Sequence, residues 1–338
     1  MRSKKRMAES AHPKAAKAMS TLATTADKAP DRSHHAAIRT LALAAQSVMT
    51  ASPKGAADAD SRMTPSGQPA ELAFLWPRPD YRISLDPCPG AAPGQRLAHC
   101  AEATLSLLST AQAATLDRIT GWQAIYGARF GAWLGLRLRR GRVAYKLYLD
   151  IPAGAPWADW EEELARTAQV RSSRNAIATM VGLDPETGGT EVYFSAGRLH
   201  PDDICALAGR IGIEAPGTVV PSLVQDLTGR SIRFALPSFD MGFSNSWAED
   251  RTARAFTWYS TAVGLLGPDQ RARSALLRVG AKRGWDMSAY SALTTGSPPR
   301  HVLIGAALTA SAPPAFTATI ATTPEVLLRW TSCPGGAA

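Results

Sequence analysis

The sequence predicts an α+β protein whose centre is a closed barrel of about ten antiparallel β-strands with helices on the outside. Two observations carry this prediction. A strand–strand–helix unit recurs about five times along the chain, and its strands alternate apolar with polar residues. Hairpins make neighbouring strands antiparallel, and the helix after each hairpin must cover one face of the sheet. A sheet of about ten such strands tends to curl and close, which removes its edges and leaves a wide interior.

The strand-like runs come in pairs that are separated by turn residues such as Arg140-Gly141. They are residues 71–76 and 81–86, 130–138 and 142–151, 175–183 and 190–195, 231–236 and 254–260, and finally 289–294, 301–309 and 316–322. Helical runs follow the pairs at residues 99–114, 157–170, 201–211, 221–227, 269–284 and 324–330. Repetition of this plan amounts to a series of αββα units.

The 338 residues divide into a tail and a barrel. Residues 1–66 are rich in Ala, Ser, Thr and Lys and have few aromatic residues, so they are predicted to form a disordered basic tail. Helix formers between residues 36 and 48 are enough for one short helix within it. The barrel is predicted to span residues 67–330, and residues 331–338 to form a flexible C-terminal tail.

Composition narrows the classes of function. The net charge is +9, but +6 of it falls within residues 1–66, so the basic character belongs to the tail and does not indicate nucleic-acid binding by the barrel. No apolar run approaches the roughly 18 residues of a membrane span, which predicts no membrane insertion. Four scattered cysteines and six scattered histidines predict no metal site and a reduced, cytoplasmic location. A monomer is the neutral expectation.

Helices outside the barrel require apolar outward faces on the strands, and the strands meet this requirement, for example with Val143, Tyr145, Leu147 and Leu149. The opposite faces then point into the interior. The side chains predicted there are Arg82, Trp133, Arg137, Lys146, Tyr148, Glu191, Tyr193, Arg233, Thr257, Tyr259, His301, Thr317 and Thr319. A polar interior rich in aromatic residues, inside an apolar shell, indicates a binding chamber.

The chemistry of this chamber points to an anionic ligand. Four basic residues converge with few acids to neutralise them: Arg82, Arg137, Lys146 and Arg233. Because buried unpaired cations are costly, the chamber is expected to take a polyanion, and a diphosphate suits Arg and Lys together. The interleaved tyrosines and Trp133 offer π-faces that stabilise a carbocation. Together these features describe the ionisation of an allylic diphosphate. For Lys146 alone, a solvated lysine on an edge strand is an equally good interpretation.

The motif Lys146-Leu147-Tyr148-Leu149, echoed in Glu191-Val192-Tyr193-Phe194, and the αββα plan resemble the ABBA-type aromatic prenyltransferases, whose fold is the PT barrel. The resemblance covers about residues 70–325. It implies transfer of a prenyl group from an allylic diphosphate to an aromatic small molecule, amino acid or peptide. It implies no required cofactor and leaves magnesium open, since members of the family differ.

The resemblance also implies roles for single residues. Lys146 and Tyr148 match a Lys-x-Tyr that binds diphosphate and shields the cation. Tyr193 and Tyr259 match the shielding tyrosines of later strands, and Arg82 is similar to an early diphosphate-binding arginine. Arg137 and Arg233 are further candidates for diphosphate binding, and Trp133 for shielding.

Glu191 departs from the family pattern, because it and Gly189 stand where that pattern has cations. Three interpretations stay open. Glu191 could be the base that takes the proton from the arenium intermediate or binds a cationic acceptor, with Glu71 and His301 as rivals for the base. It could form a structural ion pair with Arg137 or Arg233. It could also mark a catalytically silent barrel that binds an anionic or isoprenoid ligand.

The sequence His200-Pro-Asp-Asp203 superficially resembles a metal-binding aspartate motif. It lacks a second acid at the required spacing, and it precedes a helical run where Pro and Asp are favoured. Helix capping is therefore the prediction.

Overall fold

The protein forms a closed barrel of ten antiparallel strands, in a computed structural model that describes residues 32–50, 60–156, 176–214, 217–232, 234–295 and 300–332. Each strand pairs with the next one along the chain, and β1 pairs with β10 to close the ring. The strands are β1 Ala70–Trp76, β2 Asp80–Leu85, β3 Ala132–Arg139, β4 Arg142–Asp150, β5 Ile177–Asp184, β6 Gly189–Gly197, β7 Met241–Trp247, β8 Ala253–Thr261, β9 Arg300–Leu308 and β10 Ala315–Thr322. The predicted fold class is confirmed.

Helices cover the outside of the barrel. Those of the described residues are α1 Arg32–Thr50, α2 Pro93–Thr104, α3 Thr110–Tyr126, α4 Pro201–Arg210, α5 Val219–Thr228, α6 Ala262–Leu266, α7 Asp269–Arg283, α8 Ser288–Leu293 and α9 Pro324–Ser332. None of them has both the length and the apolar character needed to cross a membrane. The helix predicted over residues 157–170 and the end of the predicted C-terminal tail, residues 333–338, lie outside the described residues.

Strand alternation positions the core between the sheet and the helices. On β4, Leu147 and Leu149 are fully buried on the outer face, where helices cover them. The hairpin from β3 to β4 turns at Arg140 and Gly141, with φ of 48° and 77°. Two consecutive positive φ values fit the tight two-residue turn whose twist matches the strands. The turn predicted at these two residues is confirmed.

The fourth hairpin differs from the prediction. The described residues between 231 and 236 form no strand, and β8 pairs instead with Met241–Trp247, for which no strand was predicted. The inward positions of that strand are small, since Gly242 lies against the ring of Tyr259, where an added Cβ would come within 2.5 Å. Glycine and serine make room for the aromatic ring, but they have low strand propensity. The sequence of this segment therefore does not indicate a strand.

Two helical regions also differ. Residues 289–294 were predicted as a strand but form α8, since a short apolar run does not distinguish a buried helix from a strand. The single helix predicted over residues 99–114 is two helices, α2 and α3, with a 3₁₀ turn between them. The second of these is capped by Ser109, whose hydroxyl accepts a hydrogen bond from the Gln112 backbone amide, as in a capping box. His200 and Asp203 likewise cap α4, which confirms that interpretation over a metal motif.

Helix α1 is part of the folded structure, so the prediction of a disordered tail is wrong for residues 32–50. Its residues Ile38, Leu41, Ala42 and Ala45 are fully buried, and the helix packs on α9 and on the barrel. His34 fixes its first turn: Nδ1 lies 2.8 Å from the Tyr81 hydroxyl, and Nε2 lies 3.0 Å from the Asp286 carboxylate. Apolar burial and these polar contacts tie the segment to three distant parts of the chain.

Candidate active site in the barrel interior

Cross-strand pairing shows which side chains share the interior. Lys146 lies opposite Gly135, and on the next strands Tyr193, Ser244 and Thr257 follow one another across the sheet. The alternate positions on the same strands carry the fully buried apolar side chains that the helices cover. The face that carries Lys146 is therefore the inner one. Of the residues predicted there, it also carries Arg82, Trp133, Arg137, Tyr148, Glu191, Tyr193 and Tyr259, and it carries the candidate base Glu71.

Lys146 is held inside the barrel by an acid and two aromatic rings. Its ammonium donates hydrogen bonds to Oε2 of Glu191 and, over 3.2 Å, to the hydroxyl of Tyr193. The same nitrogen lies 5.2 Å from the ring centre of Tyr148 and 5.5 Å from that of Tyr193, within the range of cation–π attraction. Its side chain is 12% exposed, and a closed barrel has no edge. The interpretation of Lys146 as a solvated edge lysine is wrong.

Glycine on the neighbouring strand makes room for this lysine. A Cβ at Gly182 would come within 2.5 Å of Cε of Lys146 and within 3.3 Å of the Tyr148 ring. Any larger residue would force the lysine out of its position between the rings.

Glu191 completes the ion pair. Its second oxygen, Oε1, accepts a hydrogen bond of 2.5 Å from the Ser244 hydroxyl. Burial would raise the pKa of Glu191, but the charge of Lys146 and the hydrogen bonds from Lys146, Ser244 and Tyr193 outweigh it, so that the pKa lies below its ordinary value. Glu191 is therefore an ionised carboxylate. The predicted partner Arg137 is wrong, and the other predicted partner, Arg233, lies outside the described residues.

An arc of four aromatic side chains runs along the wall beside this pair. Trp133 stacks on Tyr148 with 5.6 Å between ring centres, Tyr148 meets Tyr193 edge-on at 5.9 Å, and Tyr193 lies 6.4 Å from Tyr259. Burial, with the nearby charge of Glu191, raises the pKa values of Tyr193 and Tyr259 well above the ordinary value. Their phenols stay neutral, and the Tyr259 hydroxyl donates a 3.0 Å hydrogen bond to the Phe194 carbonyl.

The hairpin-turn end of the barrel carries a second group of charges. The guanidinium of Arg137 pairs with Asp184, which Arg139 also approaches at 3.2 Å. Burial alone would raise the pKa of Asp184, but Arg137, Thr187 and Arg139 lower it below its ordinary value. A cavity of about 100 Å³ is lined by these residues and by Lys146 and Glu191. The two ion pairs thus border a single space.

Arg82 lies next to this group, on β2 opposite Arg137. Its side chain is exposed and makes no ion pair with any residue in the described part of the chain. It differs in this from Arg137 and Lys146, each of which is paired with an acid.

The three candidates for a catalytic base lie in different places. Glu71, on β1, is separated from Glu191 on β6 by four strands in either direction around the barrel. Burial raises the pKa of Glu71 to about 7, against a hydrogen bond with Thr319 that lowers it. His301 instead faces the outer layer, where Nε2 lies 2.7 Å from the Tyr290 hydroxyl and Nδ1 lies 3.1 Å from Asp269. The prediction that His301 faces the interior is wrong.

Ser244, Asp184 and Arg139 belong to the site and were not among the predicted residues. Ser244 lies on β7 and Asp184 at the end of β5, and both positions are outside the strands that were predicted. Arg139 has the same inward parity on β3 as Arg137, one position beyond the end of the strand predicted over residues 130–138. Within the described residues, no group of three or more His, Cys, Asp or Glu side chains is close enough together to hold a metal ion.

Comparison with known proteins finds a likeness in structure but not in sequence. No protein-family model matches the chain, and no curated protein is recognisably similar to it. Among solved structures, the fold is that of prenyltransferases that include dimethylallyltryptophan synthases. The chain therefore has the ABBA prenyltransferase fold, which confirms the fold that the resemblance implied.

Three solved structures illustrate the likeness. Prenyltransferase PriB, in a binary complex with product diphosphate, is 16% identical with a TM-score of 0.66, over 93% of this chain and 96% of that one. The 6-dimethylallyltryptophan synthase from Micromonospora olivasterospora, in complex with DMASPP and Trp, is 17% identical with a TM-score of 0.63, over 92% and 96%. The 5-dimethylallyltryptophan synthase from Streptomyces coelicolor, in complex with the same two compounds, is 16% identical with a TM-score of 0.64, over 92% and 94%.

Proposed function

We propose that the protein transfers a prenyl group from an allylic diphosphate to an aromatic acceptor inside the barrel. The observation that carries this proposal is the arc of four aromatic side chains around an inward-facing lysine in a closed barrel. The faces of Tyr148 and Tyr193 already accommodate one cation, the Lys146 ammonium. The fold supports the proposal, because prenyltransferases share it.

The reaction begins with heterolysis of the bond between the allylic carbon and its oxygen. The electron pair leaves with the diphosphate, and Arg82, Arg137 and Lys146 would stabilise the negative charge that develops there. Arg233 keeps this role as a prediction from the sequence. The prenyl cation is left against the faces of Tyr148, Tyr193, Tyr259 and Trp133, which attract it electrostatically and exclude water.

A carbon of the acceptor ring then attacks the cation and forms the new C–C bond, which leaves an arenium ion. Loss of its ring proton to a base restores aromaticity. We assign that base to Glu71 and not to Glu191, because a base is most effective when its pKa is near the working pH. Burial raises the pKa of Glu71 to about 7, whereas Lys146 and Ser244 hold Glu191 as a weaker base below its ordinary pKa.

Tryptophan is the first acceptor to test, because two of the similar structures are complexes with DMASPP and Trp. The assay would combine dimethylallyl or geranyl diphosphate with tryptophan or another indole, with and without magnesium. Prenylated product, identified by mass, together with released diphosphate, is the expected result. Release of diphosphate alone would mean that water, and not an aromatic ring, captures the cation.

Tyr148→Leu is expected to lower kcat by about tenfold to thirtyfold, since it removes one π-face worth about 2 kcal/mol to a desolvated cation. Affinity for an unreactive thiolodiphosphate analogue, measured by calorimetry, should change less than about threefold, because the phenol ring does not bind the phosphates. Tyr126→Leu, at an exposed tyrosine on α3, is the matched control and should leave both quantities unchanged. An unchanged kcat in Tyr148→Leu would contradict the shielding role.

A second candidate function is a catalytically silent barrel that binds an anionic or isoprenoid ligand. The observation that favours it is the ion pair between Lys146 and Glu191. This pair neutralises the lysine that would otherwise bind the diphosphate. The two candidates differ in turnover: a silent barrel would bind the thiolodiphosphate analogues but form no product with any aromatic acceptor.

A further inference from the structure

The ion pair at Lys146 joins the proposed diphosphate site to an acid that the reaction, as assigned above, does not use. Oε2 of Glu191 accepts a hydrogen bond from the Lys146 ammonium, and Oε1 is held by Ser244. Both side chains are largely shielded from solvent, at 12% and 17% exposure. The interaction is therefore little screened, and it takes one of the three protons that the ammonium can donate.

Space around the ammonium is limited. The rings of Tyr148 and Tyr193 lie on two sides of Nζ, and the Tyr193 hydroxyl accepts a second hydrogen bond from it. A phosphate oxygen that approached Lys146 would meet a carboxylate already in contact with the same nitrogen. Two anions on one ammonium repel each other strongly where water does not screen them.

We propose that Glu191 is a built-in competitor for the donor's diphosphate: it occupies the anion position on Lys146 and must give up this contact before the donor can bind there. The proposal rests on the proposed function, since it concerns the same donor site. Ser244 is placed to retain the carboxylate when Lys146 turns to the phosphate, so the exchange needs no large movement. Glu191 would thereby determine how tightly a donor must be held by other contacts, chiefly Arg82 and Arg137.

The charges at positions 146 and 191 predict how each variant should bind the diphosphate. With both residues present, the pair adds no net charge to the site. Glu191→Gln leaves Lys146 free to bind the phosphate, and Lys146→Ala leaves an unpaired carboxylate facing it. Changing both restores a neutral site that lacks the lysine contact.

The experiment is calorimetric titration of four proteins (wild type, Glu191→Gln, Lys146→Ala and the double variant) with inorganic diphosphate and with dimethylallyl thiolodiphosphate. Glu191→Gln is expected to bind both about tenfold more tightly than wild type, and Lys146→Ala about tenfold more weakly, each about 1.4 kcal/mol. The double variant should bind within about threefold of wild type, because the two opposite charges are removed together. Glu186→Gln removes an acid that pairs with Arg139 at the turn, and should change affinity by less than about threefold.

The outcomes separate this inference from the proposed function. Equal or weaker binding by Glu191→Gln, with a wild type that binds, overturns the competitor and leaves prenyl transfer standing. Binding only after Glu191→Gln supports the competitor and overturns both prenyl transfer and donor binding by the native protein. No binding by any folded variant ends both proposals. Thermal melts confirm that each variant folds, and Glu191→Ala, which removes the same charge, replaces Glu191→Gln if that variant does not melt cooperatively.

Discussion

Leu41→Ala is expected to lower the free energy of unfolding by about 2–5 kcal/mol, the range for truncating a fully buried leucine. Leu41 lies on α1 and has no exposed surface. It belongs to the main hydrophobic core, which also contains Leu72 and Ile83 of the barrel. The loss would combine the transfer of the removed methyl groups with the cavity that they leave. Urea denaturation followed by tryptophan fluorescence measures the change.

Leu43→Ala is the matched control, because Leu43 lies on the same helix but is 47% exposed. It has the same change in helix propensity and should alter stability by less than about 0.5 kcal/mol. Equal effects of the two substitutions would show that α1 does not pack on the barrel in solution. The larger effect at Leu41 would establish residues 32–50 as an integral part of the fold.

Helix α1 shows why part of the fold escapes sequence analysis. Its apolar residues Ile38, Leu41, Ala42 and Ala45 follow the spacing of one helical face, so the helix itself could be predicted. The residues that contact this helix could not be predicted. His34 contacts Tyr81 and Asp286, and nothing local in an alanine-rich segment indicates residues so distant along the chain.

The barrel was predictable because its strands must satisfy two environments at once. Strict alternation on β4 places leucines under the helices and Lys146 and Tyr148 inside, and the same parity on β6 and β8 brings Tyr193 and Tyr259 to the same wall. Parity fails where a strand is irregular. The register of β9 and β10 shifts between Ala318 and Ile320, and beyond that shift His301 points outward, against Tyr290.

Partners within the interior were the least predictable feature. The sequence places Glu191 among basic residues and predicts Arg137 or Arg233 as its partner, but not Lys146. The structure decides through distance across the sheet: Asp184 is near enough to take Arg137, which leaves Lys146 for Glu191. Such pairings depend on the distances between charged groups on different strands. The alternation of residues along one strand shows which face a side chain is on but not these distances.

Glu71→Gln is expected to lower the rate of prenyl transfer by about 10²–10⁴-fold, the usual contribution of a positioned general base. A glutamine keeps the shape and the hydrogen bond to Thr319 but cannot take the arenium proton. Affinity for the thiolodiphosphate analogue should be unchanged within about threefold, since two strands separate Glu71 on β1 from Lys146 on β4 and the pair of Lys146 is Glu191. Glu102→Gln, at an exposed acid on α2, is the control for loss of a negative charge.

The raised pKa of Glu71 gives this prediction a second readout that does not depend on turnover. Burial raises the pKa from 4.5 to about 7, so the folded protein binds a proton more tightly than the unfolded chain does. Between these values stability falls as the pH rises, and above about 7 the full penalty, up to about 3 kcal/mol, is present. Glu71→Gln removes the penalty, so its stability relative to wild type should increase from pH 4 to pH 8. In the same interval the wild-type rate should rise with pH as the base ionises. A rate loss without this shift in relative stability would mean that Glu71 acts by positioning the acceptor and not as a base with a raised pKa.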